Sequence, residues 1–599
     1  MWLICMLLSI GSVGLVALGV AAVNKNRGTK KQKISLFHTL FMGVFVAALI
    51  MFLPIHKAAA ESTWLGYWRT LLLSAFNAMQ VFTIGCEYSV IKEGIEHCPD
   101  WLSSGYQVWA STILVVAPIF TFGFVLSLFK NLSAYWELAL AHFKDLYIFS
   151  ELNEKSLALA GNLKADKNRA KKIAVVFTDV FDNEDESTAE LLETAKKLGA
   201  ICFDKDVATV NFKKHSKKKN LRFFAMGNDE TENLNKSLKL IEQYKDRENT
   251  NLYVFSTKVE SELLLTAVDK GSLRVRRINE VRSLVNRMLH EQGHLLFEKA
   301  RETADGTKQI SAVVVGMGNH GTEMVKALTW YCQMDGYSIQ INAFDQDPLA
   351  EDKFRALAPE LMSPEYNGVV IPGEAQYQIT VHSDMDVDTA TFADAISKIK
   401  NATYVLVALG NDDVNINTAV KLRMYFERLR IHPVIQAIVY NSQQKKALEG
   451  IKNYRGQDYD IQFIGDIEEA FTEAVIMGSE LEEDALRSHM KWGSEEEFWA
   501  YEYNYRSSIA SAIHRVARVQ CHIPGAGKRE AELTVEERDI IEDLEHRRWN
   551  AYMRAEGYIY SGSKDKSSRN DLGKMHHDLV DFASLSEEDK RKDSQVGSK

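Results

Sequence analysis

The long apolar runs of this chain lie almost entirely before residue 131, which separates a membrane-type segment from a soluble body. Trp2 to Val23 is nearly uninterrupted, with Gly11, Gly14 and Gly19 as its small residues. That is about the length a helix needs to cross ~30 Å of hydrocarbon. Leu36 to Ile55 is a second run, and Tyr106 to Phe129 a third, interrupted only by Pro118, which spanning helices tolerate. Lys25, Arg27, Lys30, Lys31 and Lys33 follow the first run, whereas the charges of a cleaved signal peptide precede its apolar stretch. The positive-inside rule puts this cluster in the cytoplasm and the N-terminus outside. The expectation is a multi-pass region over 1–130 in the inner (plasma) membrane, with spans near 2–23, 36–55 and 106–129 and a cytoplasmic soluble body.

Tyr67 to Ile91 is long enough to span but carries Arg69, Asn77, Gln80 and Glu87. A full crossing would place everything after Lys130 outside the cytoplasm, so 67–91 reads as a re-entrant or interfacial helix, Tyr67 to Met79, followed by a turn over Val81 to Glu87. Span, re-entrant helix, Thr-x-Gly turn and span resembles the pore of a potassium channel, where backbone carbonyls replace the ion's hydration shell. Thr83, Ile84 and Gly85 fit that turn, while Cys86 and Glu87 stand where the pattern has Tyr-Gly. The alternative is a polar-faced helix packed in a small bundle. Cys86 and Cys98 would share the outer compartment, paired or merely near in sequence.

The body repeats itself. Lys144 to Ala160 and Ile310 to Lys326 each read as strand, turn and helix start. Later in each half, Phe224-Ala-Met-Gly-Asn-Asp-Glu230 matches Val407-Ala-Leu-Gly-Asn-Asp-Asp413. Near-continuous apolar runs at 172–177, 252–256, 338–344, 403–408 and 434–440 are the signature of parallel strands covered on both faces. The expected fold is therefore a membrane α-helical region plus α/β, with two tandem doubly wound parallel-sheet domains at 131–300 and 301–478. The net charge of −10 excludes a strongly basic nucleic-acid binder. Six cysteines without CxxC spacing exclude a zinc or disulfide scaffold.

The second copy carries Gly316-Met-Gly-Asn-His-Gly321 between a strand and a helix, with Asp345 ending the next strand. Glycines allow a tight turn and close backbone approach, the helix N-terminus favours phosphate, and the carboxylate accepts from ribose hydroxyls. Gly316, Gly318, Asn319, His320, Gly321 and Asp345 are thus the candidate site for NAD(H) or an adenine nucleotide. In the first copy Ser150, Leu152 and Lys155 occupy the glycine positions, so that copy reads as structural. Nothing near His320 completes a catalytic arrangement, so neither catalytic nor metal-ligating residues are expected. The glycine turn, the acidic strand end and Ala408-Leu-Gly-Asn-Asp-Asp-Val-Asn415 resemble the Trk-type N-terminal RCK domain of potassium channels and transporters. That resemblance implies nucleotide binding with a regulatory outcome and assembly as a homo-oligomer.

From 479 the chain turns charge-rich and helical, with an aromatic stripe over 494–505 that reads as packing. Thr534 and Glu537 form a capping box opening a helix that ends near Gly557. His546, Trp549, Gly557, Tyr558, Tyr560, Leu579, Val580, Phe582, Leu585 and Asp593 are similar to the ryanodine-receptor repeat (RyR) domain, with His577 and Asp581 where prolines are common. The resemblance implies a small, mainly α module at 533–599 behind a helical connector at 479–532. His546, Arg548, Trp549, Tyr552, Tyr558 and Tyr560 form its candidate ligand face, where rings could stack and Arg could supply charge. Together these readings predict a ligand-sensing membrane protein acting as a gated potassium or cation channel, with a membrane-anchored receptor or stress effector that conducts nothing as the alternative. Its expected partners are the lipid bilayer and a small nucleotide-like ligand.

Overall fold

A computed structural model of the chain describes residues 1–26, 36–58, 63–83, 85–180, 186–362, 365–366, 369–370, 377–478 and 480–598. Arg27, Lys30, Lys31 and Lys33 of the basic cluster, and Ile84 of the expected pore turn, lie outside the described residues. The chain divides into two compact units. One comprises Met1–His142, Thr178–Ala189 and Ile201–Asp206, the other Phe143–Phe177, Glu190–Ala200 and Val207–Lys599.

The smaller unit is built on four long helices, Trp2–Asn26, Leu36–Ala58, Trp64–Phe82 and Asp100–Leu140. Among the described residues, two stretches are long and apolar enough to cross a membrane, Phe41–Ala58 and Asp100–Ile119, and the first helix carries a shorter one, Trp2–Val16. The helix Trp64–Phe82 buries Gly66, Thr70, Ser74 and Asn77 together with Ala78, Val81 and Phe82, while Trp64, Leu65, Leu72, Phe76 and Met79 are exposed. Buried Ser9 donates to the Ala47 carbonyl at 2.7 Å and accepts from the Trp109 indole at 2.8 Å, tying three helices together.

The third helix is longer than the expected 67–79, so Val81 and Phe82 are still helical and the turn begins at Thr83. The Thr83 and Gly85 amides both donate to the Gln80 carbonyl, at 3.1 and 2.9 Å, and close the helix end. Cys86 and Cys98 are free thiols. The last helix runs unbroken past Pro118 to Leu140.

The larger unit contains two parallel-sheet α/β halves. In the second, strands Lys308–Val315, Tyr337–Phe344, Tyr377–His382, Tyr404–Val407, Val434–Ile438 and Ile461–Ile464 lie in the order 3-2-1-4-5-6 by sequence rank. That is the Rossmann order, which leaves a crevice where strands 1 and 4 diverge. The first half follows the same plan, with Ile173–Phe177, Asp145–Phe149, Leu221–Ala225, Thr250–Phe255 and Arg274–Ile278 as neighbours in that order. The central strands are covered on both faces, with Phe149, Val175, Val254, Val313, Val314 and Val405 all buried, while the edge strands Arg274–Ile278 and Tyr377–His382 are only partly so.

The C-terminal helices do not form a separate core. Leu328 and Trp330 of the second half join Phe498, Ile513, Leu544, Tyr552 and Leu579 in one apolar cluster. Phe498 of the aromatic stripe is fully buried there, so that stripe packs as expected. Glu556, just past the helix Val535–Ala555, contacts Arg282 at 2.9 Å, Arg506 at 3.4 Å and Lys326 at 3.7 Å. Arg282 also binds Glu323 at 2.7 Å. Burial opposes charge on Glu556, but Arg282, Lys326 and Arg506 outweigh it and hold the carboxyl well below its usual range. Removing one member of a buried ion cluster leaves the others uncompensated, at about 3–5 kcal/mol. Glu556→Gln is therefore expected to lower the stability of the larger unit by that order; a urea midpoint unchanged from wild type would contradict this.

Candidate functional site

The glycine loop of the second half is set by two steric constraints. Gly316 has φ +97°, and a Cβ there would lie 2.4 Å from the Ala408 carbonyl oxygen at the neck between strands 1 and 4. A Cβ on Gly321 would lie 1.7 Å from the Gly316 carbonyl oxygen, so the helix Asn319–Tyr331 starts hard against the loop. Gly318 is different: a Cβ there meets nothing within 4 Å, and it and Asn319 are exposed. Gly318 is the N-cap and offers no side-chain bond. The first-turn amides, which a helix cannot satisfy internally, therefore face an open approach.

Asp345 sits at the loop as expected, and its carboxylate braces it: Oδ2 accepts from the Met317 amide at 2.5 Å and Oδ1 from the Asp347 amide at 2.7 Å. His320 turns away from the loop toward Tyr440, whose hydroxyl lies 3.2 Å from Nε2.

The equivalent place in the first half is closed. Asn153 caps the helix Glu154–Ala165 through a reciprocal capping box with Ser156. Buried Lys236 donates to the Ser150 carbonyl at 2.9 Å, filling the ground in front of that helix with a cation. Lys155 is drawn to Glu280 at 2.6 Å. The repeated Gly-Asn-Asp segments brace both halves without matching residue for residue. Asn233 accepts from the Gly227 amide, but Asn415 accepts from the Leu409 amide, because the first-half loop is one residue longer before its cap, Asp229 against Asn411. Glu230 and Asp412 then do the same work, each binding amides just beyond the next strand. A cavity of about 350 Å³ lies between the halves at the carboxyl ends of their strands, lined by Lys155, Glu230, Glu280, Arg287, His320 and Tyr440 among others.

A larger cavity, about 740 Å³, lies in the C-terminal module and divides the candidate face. His546, Arg548 and Trp549 line it, with Trp492, Tyr503, Lys566, Arg569, His576, His577 and Lys592. Tyr552 instead packs edge-on against Trp330 of the second half, ring centroids 6.2 Å apart. The Tyr560 amide donates to Glu360 at 2.8 Å, and the Tyr558 ring lies 6.4 Å from that of Tyr503. Six residues separate His546 from Tyr552, about 9 Å along the axis, and at that height the helix is covered by its neighbour.

His546 is itself a brace, bonded through Nε2 to the Val580 carbonyl at 2.8 Å and through Nδ1 to Asp593 at 3.2 Å. Trp549 meets His576 edge-on at 4.9 Å. At the cavity floor Glu545 binds Arg548 at 2.9 Å, Arg518, and the Ser511 hydroxyl at 3.0 Å. Burial resists charge on Glu545, but the two guanidiniums hold its carboxyl down at about 2. The sequence reading missed Trp492, Lys566, Arg569 and Lys592, which come from separate segments. The signal it passed over was Arg518 and Glu545 among the apolar residues of two helices.

No family model matches the chain, and a search of curated proteins also finds no match. The site must be read from its own chemistry.

Burial pushes His320 down to about 4 and His576 down to about 3. Both imidazoles are neutral in the folded protein and protonate more readily once unfolded, so their stabilisation is complete above pH 6.5 and is lost as pH falls toward those values. The melting temperature should fall between pH 6.5 and 4, and less steeply in His320→Asn; an identical slope in the variant would contradict the assignment.

Proposed function

We propose that this chain is a membrane-held sensor in which the second α/β half takes a nucleotide-like anion, NAD(H) or an adenine nucleotide, and the outcome is regulatory. The observation that carries this reading is the contrast between the halves. One helix N-terminus opens at uncapped, exposed Gly318, and the other is capped by Asn153 and fronted by buried Lys236. Helix N-termini with free amides favour phosphate. The Rossmann strand order puts the open one at the switch-point crevice, where such folds bind ligands.

The resemblances to the RCK domain and the ryanodine-receptor repeat support the same reading. Apolar stretches at Phe41–Ala58 and Asp100–Ile119 support attachment to a bilayer. The helix Asp100–Leu140 is followed within five residues by the first strand of the body, the connection through which ligand-dependent states would bias the membrane region. Such bias requires the ligand to bind two states with different affinity. A homo-oligomeric cation channel is the form this takes if the region around Thr83, Gly85 and Glu87 conducts. One observation favours the non-conducting alternative: the Thr83 and Gly85 amides fold back onto Gln80 as an ordinary helix end.

The test is binding of ADP and NAD⁺ to the purified full-length protein, followed by bilayer currents with whichever binds. Gly318→Ala has room for its methyl and should bind as wild type, while Gly318→Asp puts a carboxylate at the anion's place and should weaken binding at least tenfold. Equal binding in the two variants, or none in wild type, would overturn the proposal. Binding without current selects the receptor.

A further inference from the structure

We infer that the 740 Å³ cavity of the C-terminal module is a second ligand site, separate from the glycine loop, for a compact organic molecule that carries both a phosphate-type oxyanion and a flat ring. Arg518 and Arg548 share the single carboxylate of Glu545, and all three are about 1% exposed. One carboxylate thus serves two buried guanidiniums, of which Arg548 lines the cavity. Arg548 uses Nε and Nη2 on Glu545, at 3.0 and 2.9 Å, and its Nη1 has no partner. His577, 7% exposed, likewise leaves Nδ1 without a partner on the same cavity wall.

The rest of the lining fits the rest of such a ligand. Lys566, Arg569 and Lys592 add cationic groups; their carboxylate partners Asp571, Glu588 and Asp589 include one only 2.8 Å from Lys592. Four carboxylates, Glu545, Asp578, Asp589 and Asp593, also line the cavity; burial raises Asp578 and Asp593 above the usual range, while Glu545 and Asp589 are engaged by Arg548 and Lys592. Trp492, Tyr503 and Trp549 supply flat apolar walls against which a ring can lie. The volume falls within the roughly 300–1,000 Å³ of small-molecule sites, enough for a mononucleotide. Arg548 is suited to the oxyanion because its planar fork keeps two donors on Glu545 while presenting the third group to the ligand.

Titration calorimetry on the full-length protein with AMP, ribose 5-phosphate and adenosine separates the two halves of the ligand. AMP is expected to bind at least tenfold more tightly than either fragment. Arg548→Lys keeps the charge beside Glu545 but removes the free Nη1, and should weaken AMP at least tenfold. Arg569→Gln, on an exposed side chain, should weaken it about threefold and serves if Arg548→Lys loses its circular dichroism. The same titration in a Gly318→Asp background, where the glycine loop is blocked, reads the cavity alone, so failure of the glycine-loop reading and failure of this one give different results. Absence of AMP binding in the Gly318→Asp background, or binding there unchanged by both cavity substitutions, would overturn the inference.

Discussion

Glu556 stands at the end of the longest C-terminal helix and meets cations from three other elements: Arg282 from the first α/β half, Lys326 from the glycine-loop helix, and Arg506 from the helix Glu502–Gln520. Glu323, one turn from the glycine loop, shares Arg282 with it. Each ion here is largely withdrawn from water, so none is tolerable alone and the cluster fixes the relative positions of the elements that carry it. The hydrophobic core shared by Trp330, Ile513, Leu544 and Tyr552 supplies the non-directional part of the same junction. Geometry at the glycine loop and geometry in the C-terminal module are thus set by one assembly of charges.

That junction gives the two proposed ligand sites a physical route to each other. The helix Asn319–Tyr331 begins at Gly318 and carries Glu323 and Lys326 on its first two turns. The helix Val535–Ala555 carries Glu545 and Arg548 at one cavity and ends beside Glu556. A ligand that orders either helix acts on groups the other shares, which is the structural requirement for coupling free energy between sites. The asymmetry of the duplication serves the same end. With Asn153 and Lys236 satisfying the first half internally, its helix N-terminus is closed where that of the second half is open.

Much of the fold was legible because buried parallel strands and long apolar helices both write themselves as apolar runs. The strands at 173–177, 337–344 and 434–438 fall within a residue or two of their apolar segments, and the Thr534–Glu537 capping box opens the helix where its spacing predicts. The glycine loop was legible because steric exclusion at Gly316 and Gly321 is a property of single residues. The offset between the two Gly-Asn-Asp copies was not, since a one-residue loop difference leaves the letters aligned while moving the cap from Asn411 to Asp229.

By itself, the sequence determined the class of each segment: which runs are apolar enough for a membrane, which strands are covered on both sides, and which glycine turn is intact. These follow from local composition and backbone sterics, which need no distant partner. Only the tertiary structure decided which charged groups complete one another. The Arg518–Glu545–Arg548 cluster with its spare guanidinium nitrogen, the split of Tyr552 from His546 and Trp549, and the convergence of Arg282, Lys326 and Arg506 on Glu556 all join residues distant in the chain. Electrostatic completion depends on distances of 3 to 4 Å between segments, and one chain's letters do not contain those distances.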